Sequence, residues 1–245
     1  MRLTRCFVPQ PLRSGEERLL PDGAATHIGR VMRARVGDSL IVFDGRGGEY
    51  DARIVSIERQ AVRVQIDSHR PLERESPLKV TLLQALARGE RMDFIVQKAT
   101  ELGVTSIIAL HSQRSVVRLD AAGLTKRCEH WRAIAISACE QCGRNQLPSI
   151  EAVPDLASAC SRVPQTDRRL MLRPDADRSL LDAVRQASGI SMMIGPEGGF
   201  SPEELTLTQQ LGFEGCRLGP RVLRAETAPL AALSAIQAVA GDFAD

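Results

Sequence analysis

Ile194-Gly195-Pro196-Glu197-Gly198-Gly199-Phe200-Ser201-Pro202-Glu203-Glu204 packs a strand end, a ligand-sized turn and a helix start into one short segment. The apolar run at residues 190–194 reads as a buried strand. Gly195, Gly198 and Gly199 allow backbone to approach a ligand closely, because a Cβ would hold the ligand away, and Pro196 fixes a turn. A helix then opens, with Ser201 as N-cap, Pro202 at the first helical position and Glu204 closing a Ser-x-x-Glu capping box. Leu218-Gly219-Pro220-Arg221-Val222-Leu223-Arg224-Ala225-Glu226-Thr227-Ala228 repeats the scheme after an expected strand at 215–218, with Thr227 near the cap and Pro229 just inside the next helix. Two such units side by side place their loops at the carboxyl ends of strands, where open α/β sheets bind small ligands. Neither loop has the order of a P-loop or of G-x-G-x-x-G, so a conventional dinucleotide fold is disfavoured.

Working outward, strands and helices alternate through residues 76–245. Strands are expected at 79–86, 104–110, 169–172, 190–194 and 215–218. Helices are expected at 93–102, 124–142, 179–187, 202–211 and 229–240. This alternation predicts a parallel sheet. A polar, proline-bracketed stretch, Pro71-Leu72-Glu73-Arg74-Glu75-Ser76-Pro77, separates it from an N-terminal part with strands at 39–43, 49–57 and 61–66 and one helix at 24–33. That part suits a small barrel. Domains at 1–72 and 76–245 follow.

Of 245 residues, 43% are hydrophobic but only 3% aromatic, so the core is aliphatic. No run approaches a membrane span and no signal-peptide stretch opens the chain, which predicts a cytoplasmic protein. The formal charge of +2 is unevenly spread, with 7 Arg against 3 acids in residues 1–35. Such a cluster points either to a polyanion or to a solvated face. The six cysteines are scattered, and a cytoplasmic chain keeps them reduced. Cys139 and Cys142 form a C-x-x-C near Cys128 and His130. On one helix, however, Cys128 and Cys142 lie about 21 Å apart and cannot share an ion, so no metal is expected.

The two C-terminal segments resemble those of the RsmE family, the ribosomal RNA small-subunit methyltransferases E. Gln141-Cys142-Gly143-Arg144-Asn145, Lys98-Ala99-Thr100-Glu101-Leu102-Gly103, Arg5-Cys6-Phe7, and His27 with Val31-Met32-Arg33 and Gly37-Asp38 extend the resemblance over nearly the whole chain. Cys142 and Met32 depart from the family's usual residues without removing a charge. The resemblance implies a C-terminal SPOUT α/β domain with a trefoil knot and helices on both faces of its sheet. It also implies a PUA-like RNA-binding barrel at the N-terminus, a homodimer whose interface helps build the active site, and transfer of a methyl group from S-adenosylmethionine to N3 of a uridine in 16S rRNA. The substrate would be that RNA, naked or within the assembled small subunit. A tRNA-directed SPOUT enzyme and a non-catalytic RNA-binding relative are the alternatives.

For that chemistry the two loops are the expected cofactor cradle: Leu172, Gly195, Pro196, Glu197, Gly198, Gly199, Leu218, Gly219, Val222, Leu223, Arg224, Thr227 and Ala228. Arg224 is placed to stabilise charge developing on a uracil oxygen. Glu197 and Glu226 are candidate bases or cofactor ligands, and Glu226 could equally serve the N-terminus of the last helix. Arginine suits phosphate because its planar fork binds two oxygens at once. Arg5, Arg30, Arg33, Arg114 and Arg144, with Asn145, are therefore the expected RNA contacts. The apolar helix at 229–240 needs cover on more than one face, which again suits a dimer.

Overall fold

The structure, a computed structural model, describes residues 3–26, 28, 34–58 and 61–243. The chain forms two compact units. The first comprises residues 1–75 and 139–147, and the second residues 76–138 and 148–245.

In the first unit, β1 (Arg5–Phe7), β2 (Glu17–Leu19), β3 (Ser39–Phe43), β4 (Glu49–Ile57) and β5 (Val62–Arg70) form one sheet in the order β1-β3-β4-β5-β2. β1 pairs parallel with β3, and the remaining pairs are antiparallel. Alternation explains the burial: Val62, Val64 and Ile66 of β5 point into a core with Leu40, Val42 and Ile54, while Arg63 faces solvent. Two irregularities in the β4–β5 register, at Asp51/Ala52 and Ile54/Ser56, bend the ladder in the way bulges do. β1 and β2 were not anticipated, since three residues are too few to show a period. The expected helix at 24–33 begins earlier, as α1 (Asp22–Thr26). Residue 27 and residues 29–33 lie outside the described residues.

The second unit contains β6 (Lys79–Ala85), α2 (Arg91–Glu101), β7 (Ser106–Leu110), α3 (Ala121–Cys142), β8 (Ser149–Val153), α4 (Leu156–Cys160), β9 (Arg168–Leu172), α5 (Leu180–Ala183), β10 (Gly189–Ile194), α6 (Pro202–Gln210), β11 (Glu214–Cys216) and α7 (Thr227–Ala240). The last turn of α3 belongs with the first unit. The sheet order is β11-β9-β10-β6-β7-β8, and every pair is parallel. Both faces are covered, so β10 is buried throughout and β6 from Val80 onward, and their mostly apolar side chains show no alternation. Leu82, Ile107 and Met192 enter the core shared with α2, α5 and α7. Their neighbours Leu83, Ile108 and Met193 enter the opposite core, beneath α4 and α6.

From β6 the chain runs outward through β7 and β8. It then returns to β9, inserts β10 between β9 and β6, and ends with β11 at the far edge. The direction of winding therefore reverses between β6 and β10, and a crevice opens at such a reversal. β11 ends at Cys216, so Leu218 belongs to the loop and not to the strand as expected. α5 stops at Ala183, well short of residue 187, and Gln186 then takes a left-handed φ of 60°. Among the described residues no helix is long and apolar enough to cross a membrane.

Candidate active site

A cleft of about 530 Å³ lies at the carboxyl ends of β9, β10 and β11, beside the start of α2. Leu172, Arg173 and Asp175 border it after β9, Ile194 to Glu197 with Gly199 and Phe200 after β10, and Leu218, Gly219 and residues 221–226 after β11.

The β10 loop is held from below. Ser201 Oγ accepts from the Glu204 amide at 3.2 Å, and Glu204 Oε2 accepts from the Ser201 amide at 2.9 Å, completing the capping box. The same buried carboxylate accepts from Ser112 Oγ at 3.1 Å and the Gln113 amide at 2.9 Å, tying the loop after β7 to this one. Gly199 and Gly219 adopt φ of 67° and 69°, conformations that favour glycine.

Charge lines the opening. Arg91 Nη1 lies 2.7 Å from Glu197 Oε1, and Arg91 Nε lies 3.8 Å from Glu226 Oε2. Arg173 grips Asp175 through two hydrogen bonds of 3.0 and 2.6 Å, which hold the Asp175 carboxyl below its ordinary range. Arg221 and Arg224 are exposed at the lip. Among the described residues neither side chain has an ion-pair partner.

All three expected catalytic residues, Arg224, Glu197 and Glu226, line the cleft. So do the expected cofactor residues, with two exceptions. Gly198 faces away: its carbonyl accepts from Arg114 Nη1 at 3.1 Å, and a Cβ there would meet the Arg114 Cβ at 3.4 Å. Thr227 begins α7, and its amide is used by the Arg224 carbonyl. Glu226 occupies the N-cap of that helix but makes no capping hydrogen bond, so the helix does not consume its carboxylate. Arg91, Arg173 and Asp175 were missed. For Arg91 a signal existed, because β6 and α2 form another strand–loop–helix unit whose helix start lines the same cleft.

The expected RNA contacts fall in three different settings. Arg5, Arg144 and Asn145 are buried inside the first unit. Arg5 pairs with Glu49, donates to Asn145 Oδ1 at 2.5 Å and to the Arg144 carbonyl at 3.2 Å, and lies 4.8 Å over the Phe43 ring. Arg144 grips Glu75 at 2.6 Å, and Asn145 Nδ2 donates to the Leu72 carbonyl at 2.5 Å. The guanidinium fork that fits a phosphate fits a carboxylate equally well, and here carboxylates take it. Arg30 and Arg33 lie outside the described residues. Arg114 is exposed in the second unit, bonded to the β10 loop.

Residues 74–237 match the family model of an RNA methyltransferase domain, and residues 20–67 that of an RNA methyltransferase PUA domain. The parallel sheet with its carboxyl-end cleft is thus the catalytic fold of an RNA methyltransferase, and the five-stranded sheet its PUA-like companion. Within that class, the chain belongs to the ribosomal RNA small subunit methyltransferase E family. It is 34% identical to the Bacillus subtilis (strain 168) member over 86% of this chain and 85% of that protein. It is 31% identical to the member from Buchnera aphidicola subsp. Schizaphis graminum over 99% and 98%. Among solved structures it is similar to the Neisseria gonorrhoeae family member bound to S-adenosylmethionine, with a TM-score of 0.93, 39% identity and coverage of 99% and 100%. A putative methyltransferase from Legionella pneumophila, also with bound S-adenosylmethionine, matches with a TM-score of 0.94 at 39% identity, covering 99% and 100%.

Proposed function

We propose that this protein methylates N3 of a uridine in 16S ribosomal RNA, using S-adenosylmethionine held in the cleft. The observation that carries the reading is the convergence of the β9, β10 and β11 loops on one cleft in a chain of this family. The cleft fits the cofactor. Its volume is within the range of small-molecule sites. Leu172, Ile194, Phe200 and Leu218 give an apolar wall for a purine, the glycine turns bring backbone close, and a buried Glu226 oxygen is left without a hydrogen-bond partner among the described residues.

When bound, S-adenosylmethionine supplies a methyl group already activated on a sulfonium. The protein's tasks are to align that group with uridine N3, remove the N3 proton and stabilise negative charge on the uracil oxygens. Arg224, exposed at the lip and without an ion-pair partner among the described residues, is the group for the developing charge. Glu197 and Glu226 are the acids from which a proton acceptor would come. Arg114 and Arg221 stand beside them as phosphate contacts. The trefoil knot implied for the segment after β11 belongs to the same reading, as does a cytoplasmic location.

The test is to incubate the purified protein with methyl-labelled S-adenosylmethionine and either 16S rRNA or assembled small subunits, then map the label by nuclease digestion and mass spectrometry. A single 3-methyluridine is expected. Label on a ribose 2′-oxygen, or on tRNA in preference, would refute the assignment.

The active form is proposed to be a homodimer. Ala228, Ala232, Leu233 and Ile236 of α7 are buried in the second unit, but Leu230, Ala231 and Ala235 are only partly covered and Val239 is exposed. A helix apolar on two faces needs a second cover. Sedimentation should give a dimer at micromolar concentration, and a fully active monomer would contradict this.

A further inference from the structure

We infer that Arg91 is a positioning residue for the cofactor, holding Glu197 and Glu226 in the cleft; the inference rests on the reading that the cleft takes S-adenosylmethionine. Arg91 is the first residue of α2. The first turn of a helix is where the backbone dipole favours anions and disfavours cations. The helix therefore gives no reason for a guanidinium there. The reason lies across the cleft, where Glu197 comes from the loop after β10 and Glu226 from the loop after β11. β6, which precedes Arg91, lies on the other side of the winding reversal from the strands that carry these loops. One planar fork thus ties three separate connections together, which a single lysine point charge does less well.

The two contacts differ in kind. The 2.7 Å contact to Glu197 is a charge-assisted hydrogen bond. The 3.8 Å approach to Glu226 Oε2 is too long for one, and that oxygen is buried with no hydrogen-bond partner among the described residues. Arg91 therefore offsets the charge of Glu226 without occupying its acceptor site. The acceptor remains for a donor entering the cleft, and S-adenosylmethionine carries suitable donors in its ammonium group and ribose hydroxyls. The side chains are 39%, 35% and 22% exposed for Arg91, Glu197 and Glu226, so pairs of this kind add little to the stability of the fold. Their consequence appears when a ligand displaces water and the local attraction strengthens. Without Arg91, Glu197 and Glu226 would face one cleft with no ion-pair partner among the described residues, and Glu226 would lose the charge that holds it.

Wild type, Arg91→Ala and Arg91→Lys are compared by calorimetry with S-adenosylmethionine, by melting without ligand, and by steady-state methylation of small-subunit RNA. Arg91→Ala should raise both Kd and KM for the cofactor by about tenfold or more, and kcat should fall by a smaller factor than KM rises. Its ligand-free melting temperature should be nearly unchanged. Arg91→Lys, which keeps the charge but not the fork, should recover part of the lost affinity. Absence of binding by the wild type would refute the cleft assignment itself. Wild-type binding with unaltered Kd in Arg91→Ala would overturn the positioning role alone, as would a fall in kcat at constant KM. A variant that melts far lower, yet binds normally once folded, would overturn it too.

Discussion

Arg224→Ala is expected to lower turnover by roughly one to three powers of ten, the loss measured when a donor aimed at developing negative charge is removed. The side chain is exposed at the cleft lip and has no ion-pair partner among the described residues, so no competing structural role dilutes the effect. Its carbonyl accepts from the Thr227 and Ala228 amides at 2.9 Å, but that is backbone and survives the substitution. Folding should therefore be intact. RNA affinity should change little, and the slope of log affinity against log salt should shift by no more than one released counterion, about 0.7–0.9. Single-turnover methylation at saturating cofactor, with RNA binding measured across a salt series, separates these quantities. Full turnover in Arg224→Ala would remove it from the chemistry.

Arg5→Ala is expected to destabilise the protein by about 3–5 kcal/mol, because it breaks a buried ion pair from one side. Glu49 is 1% exposed and would keep only the outer guanidiniums of Arg70 and Arg74, at 3.3 and 3.2 Å. Burial alone would raise the Glu49 pKa, but the hydrogen bonds and charges of Arg5 and Arg74 outweigh it and leave that pKa below its ordinary 4.5. A carboxyl depressed in the folded state contributes stability that is present above its unfolded pKa and lost as pH falls through the folded one. The wild type should thus lose stability below about pH 4.5, and Arg5→Ala should flatten that acid limb. Denaturant melts between pH 3 and 7 read both effects. A cost under about 1 kcal/mol would mean that the pair behaves like a surface salt bridge. Combining Arg5→Met with Glu49→Gln should cost less than the sum of the two singles, since each single strands the other's charge.

Legibility followed the range of the interaction. The central strands announced themselves because a strand covered on both faces is apolar at nearly every position, as residues 190–194 are apart from Ser191, whose buried hydroxyl donates to Asp167. The Ser201–Glu204 capping box was visible because both of its hydrogen bonds close within four residues. Most of the loop residues that line the cleft were visible for the same reason, since glycine and proline act on the backbone where they stand. β1 and β2 were too short to carry a period, and their pairing partners lie far along the chain. Gly198 shows the limit at a single residue. The sequence marks a permissive backbone, but only the fold turns that backbone toward Arg114 and not toward the cleft.

The arginines draw the same line for charge. By itself the sequence determined an α/β chain with a small β-rich companion and two glycine-rich loops at strand ends that carry Arg224, Glu197 and Glu226, because these depend on local pattern and on loops set by the strands they follow. It could not tell a guanidinium that waits for a phosphate from one already paired. Arg5 meets Glu49 and Asn145, and Arg91 meets Glu197 and Glu226, across separations that no local pattern records. Tertiary structure alone decided these roles, because a charge acts on whatever lies within a few ångströms of it, and which groups those are is fixed by how the chain folds back on itself.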